Sequence, residues 1–112
     1  MIYATGITVC DGCTYTNCQE IDEIRIKRKK LDGTVENLGF FPKADLYDFL
    51  EEHPDKIKVG IKPFPLLKPA RSSNDKKYVR SKANDTPYDN LLELPEYVRR
   101  IRDGKVVYVP IT

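Results

Sequence analysis

Three cysteines crowd into one short stretch, Cys10-Asp11-Gly12-Cys13 followed by Thr14-Tyr15-Thr16-Asn17-Cys18. The two-residue gap lets two thiolates grip one zinc ion from a tight knuckle, with Gly12 supplying the bend. Three sulfurs need a fourth ligand. His53, the single histidine, completes a tetrahedral site only if the end of its helix folds back beside the loop. A redox pair is a second reading, but Thr14 to Asn17 lack the periodicity and good helix formers of a thiol at a helix N-terminus. The favoured reading is unligated thiols, packed as small, half-buried apolar groups. No cofactor is therefore expected; zinc on Cys10, Cys13, Cys18 and His53 is the alternative.

Acid-base chemistry has thinner support. His53 precedes Pro54, where a histidine caps carbonyls and complements the helix dipole. Asp85 and Asp89 form a carboxylate pair, yet aspartates also simply make turns. With no nucleophile elbow, phosphate-cradling glycine loop or zinc-protease motif, no catalytic residue is assigned, and an enzyme is the minority reading.

Charge is segregated along the chain. The net charge of +2 excludes a dedicated DNA-coating protein, but it hides two basic blocks, Arg25-Ile26-Lys27-Arg28-Lys29-Lys30 and the lysines of residues 56 to 62. Side by side in one sheet they would make a positive surface for phosphate, and Tyr78 could stack a base. A nucleic-acid binder using Arg25, Lys27, Arg28, Lys29, Lys30 and Tyr78 is the alternative function. The favoured reading is plainer: lysines on the wet face of edge strands prevent edge-to-edge aggregation.

The leading functional expectation is a non-catalytic binding module for a protein or small-molecule partner. It rests on two segments. Pro63, Pro65 and Pro69 break regular structure between residues 62 and 75, leaving Phe64, Leu66 and Leu67 on a loop too apolar to hang in water. Deleting 63 to 70 is expected to leave the fold intact. The second segment holds Arg80, Asp85, Asp89 and Asn90, readable as a polar pocket, though a structural clasp is favoured: Asp89 and Asn90 bond nearby amides while Leu91, Leu92 and Leu94 plug the core.

These residues must be positioned by short elements. Ile24 and Ile26 alternate with charged neighbours, and Asp32-Gly33 returns the chain toward Phe40, so a hairpin is expected. Leu46, Phe49 and Leu50 share one helical face between Pro42 and His53. Ile57, Val59 and Ile61 alternate with lysines as a strand, and Tyr78 to Ser81 reads as another. Pro95-Glu96 at the start, arginines near the end and Gly104 just past it predict a second helix, with Leu94, Val98 and Ile101 inward. Val106 to Val109 closes the chain as a strand. The expected fold is one α+β domain of 112 residues, a largely antiparallel sheet of five or six short strands with two helices.

Residues 78 to 97 carry the strongest local signature: Tyr78-Val79-Arg80-Ser81, the acidic turn Asn84-Asp85-Thr86, Asp89-Asn90-Leu91 and Leu94-Pro95-Glu96-Tyr97. This pattern resembles the bacterial family catalogued as domain of unknown function 3892, with a looser likeness over residues 7 to 61. The resemblance implies a small bacterial or phage-borne protein and assigns no activity. The N-terminal residues lack a charged start and a long apolar run, and mean hydropathy is −0.51, so a cytoplasmic chain with no membrane partner is expected.

Overall fold

Strand β1 (Ile2–Val9) is the centre around which the chain is built. The computed structural model describes residues 1–9, 17–81 and 88–111. After a 3-10 turn at Cys18–Glu20, β2 (Ile21–Lys29) runs antiparallel to β1, and β3 (Val35–Pro42) antiparallel to β2. The Asp32 carboxylate accepts from the Thr34 amide at 2.9 Å and from its hydroxyl at 2.6 Å, which closes the expected hairpin. Helix α1 (Lys43–Glu52) then crosses one face and delivers β4 (Ile57–Val59) parallel to β1. The sheet order is β3-β2-β1-β4.

Alternation decides the two faces of this sheet. Ile2, Ala4, Ile24, Ile26, Ile57 and Val59 point toward α1, where Leu46, Tyr47 and Leu50 bury against them. The hairpin of β5 (Lys68–Arg71) and β6 (Lys77–Arg80) packs beside α1 and completes that layer with Val79 and the preceding Leu67. Arg71 Nε donates to the Tyr47 hydroxyl at 2.8 Å, and Lys77 Nζ pairs with Asp48 at 2.6 Å.

Two expectations are corrected here. The segment from Lys62 to Asp75 is not all loop: Pro69 stands inside β5, opposite Val79. Leu67 is fully buried and its amide donates to Ile57 at 2.8 Å, so removing residues 63 to 70 would take out core and strand together. The second helix does not form. Its residues are β7 (Tyr97–Arg102), which turns at Asp103-Gly104 into β8 (Lys105–Pro110). Both turn residues have positive φ, 51° and 74°, the geometry of a two-residue hairpin whose twist matches its strands. Ile101, expected inward, is 70 % exposed. The described residues thus form eight strands and one α-helix, an α+β fold.

This last hairpin lies over the far face of the sheet, at its β2 and β3 side. Phe40 stacks on Tyr108 with centroids 3.8 Å apart and meets Tyr97 edge-on at 5.4 Å. Tyr108 donates to Glu23 at 2.5 Å. Burial, and next the bond to Glu23 and its charge, hold the Tyr108 phenol above the ordinary tyrosine value of 10.0. The folded state keeps a proton that the unfolded chain releases, so this contribution is fully present below about pH 10 and lost as pH rises. Urea midpoints measured between about pH 9 and pH 11 are expected to fall, and Tyr108→Phe to flatten that fall. An unchanged slope in the variant would refute the assignment.

Candidate functional site

The far face is only partly covered. Where β7 and β8 end, an open groove of about 300 Å³ remains, lined by Tyr3, Thr5, Lys27, Lys29, Val35, Gly60 and Phe64. Strand register explains the gathering. Tyr3 on β1 stands opposite Lys27 on β2 and beside Lys58 on β4, so one row across the sheet reads lysine, tyrosine, lysine. Lys29 lies two residues further along the same face, opposite Val35 of β3.

Phe64 comes to this groove from the proline segment. Its ring meets Tyr3 edge-on at 6.3 Å and 71°, and the residue is 41 % exposed. Its φ is 57°, a left-handed conformation that costs a bulky residue about 1–2 kcal/mol. Glycine would adopt it without strain. An aromatic side chain is therefore held, half in water, on backbone that favours none.

Electrostatically the groove is uncompensated. Among the described residues Lys27, Lys29 and Lys58 form no ion pair, whereas Arg28 pairs with Glu36 at 2.5 Å. Arg25 is committed differently: Nε donates to the Thr5 hydroxyl at 3.0 Å, Nη2 to the Thr5 carbonyl at 3.0 Å and Nη1 to the Tyr97 hydroxyl at 2.6 Å. It braces the groove floor against β7. Lys30 stands exposed at the hairpin turn.

Other sequence-predicted residues lie elsewhere. Tyr78 is 2 % exposed on the hairpin against α1, so it has no open ring face for a base. Its hydroxyl accepts from Arg80 at 3.4 Å. Asp89 is 1 % exposed and accepts from the amides of Ser81 at 3.0 Å and Leu91 at 2.9 Å, and from the Ser81 hydroxyl. It caps a 3-10 turn at Asn90–Glu93, which with Leu94 drives Leu91 and Leu92 into the core. The Asp89 bonds and the buried Leu91, Leu92 and Leu94 match that part of the expected clasp. Leu66 is half-buried, bridged to Lys58 at the outer edge of β4.

Asp85, Cys10 and Cys13 lie outside the described residues. Cys18 is buried at 1 % exposure in the 3-10 turn before β2. Lys43, the first residue of α1, reaches that turn by donating to the Gln19 carbonyl at 2.6 Å. His53 caps the opposite end of α1 through its backbone amide, its ring 5.0 Å from Phe49. Ten residues of helix separate the two ends by about 15 Å, so the fold does not bring Cys18 and His53 together. No group of three metal-ligating side chains occurs among the described residues.

A larger cavity, about 420 Å³, opens between α1 and the sheet. Ile26, Leu38, Phe41 and Phe49 line it with Asp45 as its one charged group. Apolar walls with so few orienting groups confer little selectivity.

Sequence reasoning found Lys27, Lys29 and Phe64 but put them in two separate hypotheses, and it missed Tyr3, Thr5 and Gly60. The available signal was Tyr3 itself, an aromatic on the polar phase of the first strand. No helix among the described residues is long and apolar enough to cross a membrane. The model of the family described as Protein of unknown function (DUF3892) matches residues 11–95, more than half of the chain. No curated protein and no solved structure matches.

Proposed function

The chain belongs to the DUF3892 family, and from that premise we propose that it is a non-catalytic binding module whose open sheet face holds single-stranded nucleic acid or a nucleotide-bearing ligand. One observation carries the reading: Phe64 is kept in a strained backbone conformation, half exposed, against Tyr3 and in one groove with Lys27 and Lys29, which form no ion pair among the described residues. A structural aromatic would be buried, and a solubilising lysine face would need no aromatic. Together they offer a ring to stack on and cations for the adjoining phosphates, with stacking worth about 1–3 kcal/mol per base. The reading needs no metal.

Fluorescence anisotropy of a labelled oligothymidine tests it. Three lysines on three phosphates give a slope of about −2 for log affinity against log salt. Lys27→Gln with Lys29→Gln is expected to weaken binding at least tenfold and make that slope shallower by about 1.4. Phe64→Gly separates recognition from folding: affinity falls about tenfold, while the melting temperature holds or rises because glycine relieves the left-handed strain. Absence of saturable binding, or unchanged affinity in Phe64→Gly, would refute the proposal.

A further inference from the structure

Away from the sheet groove, a third, smaller pocket of about 220 Å³ lies where the Cys18–Glu20 turn, the start of α1 and the turn between β5 and β6 converge. Its lining is polar: Lys43, Ser72, Asn74, Lys76 and Lys77, closed by Gln19 and Tyr78. We propose that this pocket binds a tetrahedral oxyanion, a phosphate free or as the terminal group of an ester, between Lys43, Lys76 and Lys77. It goes beyond the groove on the sheet, with which it shares no residue.

Three cations, one from α1 and two adjacent ones from the β5–β6 hairpin, line one cavity. Asp48 engages Lys77 and Asp22 acts on Lys43, while among the described residues Lys76 forms no ion pair. Lys43 already gives one donor to the Gln19 carbonyl and keeps two others. Burial, with the charge of Lys76 adding to it, pushes its ammonium below the usual lysine range, and a bound anion would relieve both effects. Lys43 also opens α1, whose N-cap Pro42 offers no side-chain cap and whose first turn holds Asp45 as its one acid; the positive end of the helix dipole there favours negative charge.

Pre-organisation comes from the turn between β5 and β6. The Ser72 amide donates to the Lys76 carbonyl at 2.9 Å, the Lys76 amide to the Ser72 hydroxyl at 3.1 Å, and Arg71 pairs with Asp75 at 2.8 Å. Ser72, Asn74 and Lys76 are thus presented on a braced loop. A water fills about 30 Å³ of liquid, so the cavity of about 220 Å³ has room for one oxyanion and a few waters.

Amide NMR shifts of the intact chain, titrated with sodium phosphate near neutral pH against sodium chloride at equal ionic strength, decide the matter. Saturable shifts confined to Ser72, Asn74, Lys76, Lys77 and Lys43 are expected. Lys76→Gln, an exposed position, should weaken phosphate about tenfold, and Lys29→Gln in the other groove should change nothing. Phenyl phosphate run in parallel separates the sources: tighter binding than phosphate identifies an ester as ligand, weaker binding identifies the free ion. Linear shifts that chloride reproduces would overturn the proposal, as would undiminished binding in Lys76→Gln. Oligothymidine affinity in the same variant stays at the unmodified level, which keeps failure here distinct from failure of the sheet groove.

Discussion

Replacing Asp89 with alanine is expected to lower folding stability by about 3 kcal/mol, the largest single-residue loss outside the apolar core. A charge buried to 1 % exposure costs desolvation, and the donors built around it repay that cost. Alanine leaves the Ser81 and Leu91 amides and the Ser81 hydroxyl without the acceptor they now share, each buried orphan costing about 1–3 kcal/mol before water reaches it. The Leu91 bond is itself the cap of the turn that inserts Leu91 and Leu92, and a cap accounts for about 1 kcal/mol of the loss. For a domain of this size the midpoint should drop by about 15 °C. Asp89→Asn keeps one oxygen and should cost about half as much. Urea unfolding of the three proteins measures both, and a loss below about 1 kcal/mol for Asp89→Ala would show that the clasp closes without its carboxylate.

Gly6→Val is expected to cost about 2 kcal/mol and to lift the β7–β8 hairpin from the sheet. A Cβ at Gly6 would lie 2.8 Å from Tyr97 Cε1 and 3.2 Å from Cδ1, closer than side chains approach. The Tyr97 ring cannot swing aside cheaply, since it meets Phe40, lies 4.7 Å from the Arg25 guanidinium and accepts its hydrogen bond. Hydrogen exchange should therefore accelerate in residues 97 to 110 before the rest of the molecule, because hairpins held by side chains open as units. The cause is checked by a double-mutant cycle: in a Tyr97→Ala background Gly6→Val should become nearly neutral. Additive losses would place the clash elsewhere. Arg25 also anchors Thr5 at the groove floor, so Gly6→Val should weaken oligothymidine binding as well, and less than Phe64→Gly does.

The misread second helix shows what local signals can and cannot carry. Pro95 at the start and Asp103-Gly104 at the end suit both a capped helix and a hairpin, since glycine past a helix and Asp-Gly in a two-residue turn exploit the same freedom at positive φ. Tyr97-Val98-Arg99-Arg100-Ile101-Arg102 has no helical stripe strong enough to arbitrate. Tyr97 and Tyr108 did so by packing on Phe40 and Arg25, residues at least 57 positions away in the chain. The hairpin through Asp32-Gly33 and the helix from Lys43 were legible because their evidence was wholly local: strict alternation around one turn, and one apolar face ended by a proline.

Periodicity in the chain was enough to determine that Ile24, Ile26 and Ile57 face the core while the neighbouring Lys27 and Lys58 face outward, and that the protein is a small α+β domain, but it turned Ile101 the wrong way. Neither basic strand announced a groove, because its making depends on β1 threading between β2 and β4 and on a proline-bent segment carrying Phe64 back over Tyr3. Only the tertiary structure decided those juxtapositions. Side-chain phase along a strand is a nearest-neighbour property, whereas pairing between strands far apart in the chain, as Tyr3 with Lys58, is settled by the burial they achieve jointly, which no stretch of either encodes alone.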